Sequence, residues 1–254
     1  MMRFWEIKAL EDAPDTGIML LYGEISDTSW YGDEVTPKQV VGELEALGDI
    51  RQLDVYINSP GGDVFAGLAI YNILKRRTER IVAHIDGLAA SAASVIAMAA
   101  DDIVMPTGAM MMIHRAWSCA CGNAEDMRDM AGTLERIDGQ LAQIYAARGK
   151  ISAEKAVQLM SEETWLDGRE AIEIGLCDRT EDAQAAACAI GPEMAARYKR
   201  IPKNYLNACN GGESQPAEDK DAAEPAAPAA AITEQRRRFA AARRKILSIG
   251  GREE

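Results

Sequence analysis

Two consecutive stretches of this chain repeat one pattern: a strand-length apolar run, a small-residue turn, then apolar residues at helical spacing. In the first, Leu53-Asp-Val-Tyr-Ile57 meets the turn Ser59-Pro60-Gly61-Gly62, after which Val64, Leu68, Tyr71 and Leu74 share a helix face. In the second, Arg80 to Ile85 reads as a strand and Ser91 to Ala100 as a helix, followed by another strand at Asp102-Ile-Val-Met105. Strands that alternate with helices are joined by crossovers, so the chain is expected to be an α/β protein with crossover helices.

The flanks extend the pattern. Gly17 to Ile25 reads as a first buried strand and Asp27 to Glu34 as a polar loop. Thr36-Pro37 supplies an N-cap and a proline at the first helical position, and Val40, Val41, Leu44 and Leu47 keep one face apolar to about Leu47. From Ala124 to Arg148, Met127, Met130, Leu134, Ile137, Leu141 and Ile144 recur at spacings of three and four. This predicts a long helix, partly packed on the body and otherwise available as a subunit interface. Ser152 to Met160 is expected to be helical, Thr164-Trp-Leu166 a short strand, and Asp167 the cap of a helix from Gly168 to Ile174.

One compact domain over residues 1–180 is expected, with an extension over 181–210. Residues 211–231, rich in Ala, Pro and acidic side chains without apolar periodicity, read as a disordered linker. Residues 232–254 carry Arg236, Arg237, Arg238, Arg243, Arg244 and Lys245 around Phe239, Ile246 and Leu247, and read either as a basic amphipathic helix or as a solvated tail.

A net charge of −12 argues against nucleic-acid binding by the main body. No run reaches the length of a membrane span and the charged start lacks a secretory apolar core, so a cytoplasmic location is expected. Five cysteines (Cys119, Cys121, Cys177, Cys188 and Cys209) form no C-x-x-C pair and read as reduced thiols; no metal and no cofactor is expected.

The stretch His84-Ile-Asp-Gly-Leu-Ala-Ala-Ser-Ala-Ala-Ser94 carries the chemistry. Gly87 permits a bend, and the alanines let backbone pack closely around Ser91 at a helix N-terminus, where unpaired N–H groups favour developing negative charge. Serine is also an ordinary N-cap, so the stretch alone defines no site. The Pro60-Gly61-Gly62 turn adds a second set of backbone N–H groups able to face an oxyanion. Only His84 and His114 can serve as a histidine base. His84 lies inside a strand, whereas His114 ends the run Met110-Met-Met-Ile and is the better candidate. Ser94, one turn beyond Ser91, is a weaker alternative nucleophile.

Four ordered motifs, Tyr56-Ile-Asn-Ser-Pro-Gly-Gly62, Gly87-Leu-Ala-Ala-Ser91, Met112-Ile-His114 and Glu170-Ala-Ile-Glu-Ile-Gly-Leu-Cys-Asp178, resemble the Clp protease proteolytic subunit over roughly residues 17–180. The resemblance implies the fold shared with crotonases: repeated β-β-α units with crossover helices and a protruding long helix. It implies a serine endopeptidase acting on protein or peptide substrates inside homo-oligomeric stacked rings, with chemistry that needs no ATP. Ser91 falls on the family nucleophile and His114 on its base, with Gly62 and Ala92 as oxyanion-hole donors. Where the family has aspartate, this chain has Glu163; Glu162 and Asp167 are the substitutes, Asp167 also being a helix cap. The acidic body, linker and basic tail resemble the phage-encoded head maturation proteases. That likeness implies capsid or scaffold protein as partner and a location in the host cytoplasm. The alternatives are a crotonase-type acyl-CoA enzyme, which does not need the Ser91–His114 pair, and a non-catalytic assembly protein, to which the glutamate gives room. A signal-peptide-peptidase relative would need a lysine base, and no lysine lies between Lys75 and Lys150.

Overall fold

A computed structural model describes residues 7–10, 13–29, 34–181 and 198–202. The expected linker over 211–231 and the basic tail over 232–254 lie outside the described residues. So do Cys188 and Cys209.

The described chain is α/β, with an eight-stranded sheet and helices from the crossovers. The strands are β1 (Ile7–Leu10), β2 (Ala13–Tyr22), β3 (Gln52–Ser59), β4 (Arg80–Ala90), β5 (Asp102–Pro106), β6 (Met110–Ile113), β7 (Thr164–Leu166) and β8 (Arg179–Glu181). The helices are α1 (Pro37–Ala46), α2 (Val64–Lys75), α3 (Ala92–Ala97), α4 (Ala124–Arg148), α5 (Ala153–Ser161) and α6 (Gly168–Glu173). The main order is β1-β2-β3-β4-β5-β8. Every pair along it is parallel except β1–β2.

Strand β4 forks the sheet. Its first part, Val82 to His84, pairs with β5, and its last three residues, Leu88 to Ala90, pair in parallel with Met110 to Met112 of β6. On its other side β6 pairs antiparallel with β7, Ile113 opposite Thr164. These registers bring the ends of β4 and β6 and the start of β7 to one edge. The residues just past those termini are Ser91, His114 and Glu163.

Local chemistry explains the elements. Alternate residues of β3 are buried, as expected for a strand whose two faces meet different surroundings. Thr36 and Gln39 form a capping box on α1, and the Asp63 carboxylate accepts from the Ala66 N–H at 2.7 Å to start α2. Asn123 caps α4 in the same way. The first half of α4 is largely exposed, whereas Leu141, Ala142 and Tyr145 in its second half are buried on the body. No described helix is long and apolar enough to cross a membrane.

Several boundaries differ from the sequence expectation. The expected strand at Gly17 to Ile25 begins at Ala13 and ends at Tyr22; Ile25 instead makes isolated bridges to Val35 and Gly62. β1 was not foreseen, because a four-residue run carries no measurable periodicity. The third helix stops at Ala97 rather than Ala100. Around Gly87 the pairing of β4 with β3 slips by two residues, from Ile57 opposite Ile85 to Ser59 opposite Ala89, but pairing with β6 carries the strand on to Ala90, and the chain turns into α3 at Ser91.

Candidate active site

Ser91 has φ 55° and ψ −123°, a conformation that side chains other than glycine's seldom adopt. Four contacts hold it there. Its N–H donates to the Met112 carbonyl at 2.9 Å, and its carbonyl accepts from the Ser94 and Val95 N–H groups and from the Ser94 hydroxyl, the last at 2.6 Å. Ser94 is buried, and its Oγ lies 2.8 Å from the Tyr145 hydroxyl on α4. The alternative nucleophile is thus part of the support for Ser91. Burial pushes the Tyr145 phenol well above its ordinary range and keeps it neutral.

The Ser91 side chain caps no helix N–H. Its Oγ lies 2.8 Å from His114 Nε2. Burial pulls the His114 imidazole below its usual value of 6.5; the charge of Glu163 opposes that shift and Lys199 adds to it. The ring is therefore held neutral, with one nitrogen facing the hydroxyl. The loop after it is anchored on α4, where buried Asp138 accepts from the Ala116 N–H at 2.8 Å and lies 3.6 Å from Arg115. Burial raises the Asp138 carboxyl.

The Gly-Gly turn packs against this elbow. A Cβ on Gly61 would lie 2.6 Å from the Ala90 carbonyl oxygen and 2.7 Å from Ser91 Cβ. One on Gly62 would lie 2.0 Å from the Ile25 carbonyl oxygen, and both glycines have positive φ. Among the described residues, no acceptor takes the N–H of Gly62 or of Ala92. Both residues line a cleft of about 480 Å³ with Ser91 and His114, and Phe65, Trp117 and Leu134 give its wall apolar surface.

Glu163 sits where the register brings it, beside His114, and has φ 49°. Its carboxylate is engaged elsewhere. It accepts from the backbone N–H of Lys199 at 2.8 and 2.9 Å and of Arg200 at 2.7 Å, with Trp165 Nε1 at 3.4 Å. No hydrogen bond joins it to His114 among the described residues. The substitutes are also occupied. Asp167 accepts from Arg169 and Glu170 N–H as the cap of α6, and Glu162 accepts from Gln158 on α5. His84 stands apart, stacked on Tyr56 at 4.6 Å with Nε2 3.8 Å from Asp54. Tyr198, which sequence reasoning missed, also lines the cleft. Its ring meets those of His114 and Trp165 edge-on at 5.8 and 5.6 Å, and its hydroxyl donates to the Pro60 carbonyl. Nothing in its local sequence signals that placement. Among the described residues, no cluster of side chains could hold a metal ion, and Cys119 and Cys121 are exposed thiols.

A mostly parallel α/β sheet that delivers a strained serine, a neutral imidazole and a glycine turn to one edge defines a narrow class of protein. The Clp protease family model matches residues 7–183, and the chain belongs to that family. It is similar to the ATP-dependent Clp protease proteolytic subunit 2 of Treponema pallidum, 31% identical over 67% of this chain and 85% of the relative. The corresponding subunit 3 of Rhodococcus jostii is 31% identical over 63% and 79%. The Deinococcus radiodurans proteolytic subunit is 30% identical over 55% and 69%.

Proposed function

We propose that this chain is a serine endopeptidase. The observation that carries the reading is the 2.8 Å contact between Ser91 Oγ and His114 Nε2 at a strained elbow flanked by two free backbone donors. His114 takes the Ser91 proton as Oγ attacks a peptide carbonyl, and the oxyanion is stabilised by the N–H groups of Gly62 and Ala92. His114 then protonates the leaving amine. Water, deprotonated by the same imidazole, releases the acyl group and restores the serine. Glu163 supplies the negative charge beside the imidazolium that forms. Every step uses side chains and backbone of the chain itself, so the chemistry requires no nucleotide. The apolar wall of the cleft favours a peptide with an apolar side chain beside the scissile bond.

Assembly into homo-oligomeric rings is part of the same reading, supported by the exposed first half of α4 with its apolar Met127. The basic tail sequence supports capsid or scaffold protein of a phage as the substrate, within the host cytoplasm. The test is labelling with a fluorophosphonate probe and peptide mapping of wild type, Ser91→Ala and His114→Ala. Label on Ser91 that depends on His114 is expected. Assembled, folded protein that takes no label at Ser91, whether or not Glu163 is released from the Lys199 and Arg200 N–H groups, would overturn the peptidase reading in favour of a non-catalytic assembly protein.

A further inference from the structure

The segment Tyr198 to Pro202 follows the matched family region, which ends at residue 183, yet it returns to the candidate active site. It holds on at both sides of the cleft. On one side the Tyr198 hydroxyl donates to the Pro60 carbonyl, immediately before the two glycines. On the other, the Lys199 and Arg200 N–H groups converge on the Glu163 carboxylate, and Arg200 Nη1 donates to the Glu162 carbonyl at 2.7 Å. Between these anchors the Tyr198 ring lies against His114 and Trp165. Backbone N–H groups on a carboxylate are charge-assisted and short, so this is a specific clasp and not a loose surface contact.

The clasp has two chemical effects. It satisfies the Glu163 oxygens, so that carboxylate orients no imidazole; His114 donates and accepts nothing on its Nδ1 side among the described residues. It also sets an aromatic ring in the cleft that a substrate chain must enter. We propose that Tyr198–Pro202 is an intramolecular inhibitory strap: it narrows the cleft and sequesters Glu163, and its release frees Glu163 to meet His114 and widens the path for substrate. This proposal rests on the serine-peptidase reading. The side chains of the strap are dispensable for that chemistry, whereas its N–H groups and ring are what hold the resting state.

The experiment uses the full-length chain as wild type, as Tyr198→Ala, and as Lys199→Pro, which deletes one of the N–H donors to Glu163. Two quantities are measured: the rate of fluorophosphonate labelling at Ser91, and hydrogen exchange of the Arg200 amide, which all three proteins keep. Expected are slow exchange in wild type, fast exchange in both variants, and labelling accelerated about tenfold in each, within the usual range for coupling between two states. An Arg200 amide that exchanges freely in wild type overturns the strap. So does equal or slower labelling in the variants, with Ser91 still reactive. Absence of label in all three proteins is a different result: it removes the reactive serine and the gating built on it, while exchange still reports whether the clasp exists.

Discussion

The serine side and the carboxylate side of this candidate site are built by different means. Ser91, Gly61, Gly62 and Ala92 are held by backbone: parallel strands in register, a hydrogen bond from Ser91 N–H to Met112, and glycines that no side chain could replace. Glu163 hangs at the start of a three-residue edge strand, and its carboxylate is positioned by a segment 36 and 37 residues further along the chain. A geometry made of close-packed backbone has one arrangement. A carboxylate on a flexible side chain, held by a few hydrogen bonds, is fixed less tightly, and the proposed strap acts on that side.

The sharpest way to break the comparison is on the serine side. Ser91→Ala is expected to cut peptide turnover by at least ~10³-fold while leaving thermal unfolding unchanged, checked by steady-state kinetics and calorimetry. Gly62→Ala should lower kcat by roughly 10²–10³-fold, since the added methyl would lie 2.0 Å from the Ile25 carbonyl oxygen and must shift an oxyanion donor. Glu163→Gln should cost about 10²-fold in kcat. A loss under threefold would show that β6 alone suffices to hold the imidazole.

Smaller effects sharpen it. Tyr145→Phe removes the partner of the Ser94 hydroxyl, itself bonded to the Ser91 carbonyl, and should lower stability by about 1 kcal/mol in denaturant melts. The smallest expected effect is on pH. The neutral imidazole is the working form, and burial places its folded pKa below 6.5, so the acid limb of the rate profile should have its midpoint below that value. Removing the Lys199 charge with Lys199→Met should move the midpoint up, and Glu163→Gln should move it down. The sign for stability follows from the same group. Folded protein binds fewer protons than unfolded protein here, so stability falls as pH drops through 6.5 toward the folded value.

Most of the fold was legible because its signals are local. Thr36-Pro37, the Gly-Gly turn and the long stripe of α4 each encode their element within a few residues, and α4 runs from Ala124 to Arg148 as expected. The elbow was legible in part. The small residues pointed to Ser91, but the turn was expected at Gly87, since pairing of Leu88 to Ala90 with a strand more than twenty residues away is invisible locally. The adjacency of His114 and Glu163 came from the family register rather than from any local pattern. The clasp on Glu163 had no signal at all, because a backbone N–H leaves no mark in the identity of its residue.

Asp138 gives α4 a mechanical role. The helix is about 37 Å long at 1.5 Å per residue, and its largely exposed first half borders the cleft through Leu134. On α4 the anchor is the Asp138 carboxylate gripping Ala116, two residues past the imidazole, while the Arg115 N–H donates to the Met160 carbonyl on α5 at 3.2 Å. The same helix thus borders the cleft through Leu134 and, one turn further on, holds the loop behind His114 through Asp138.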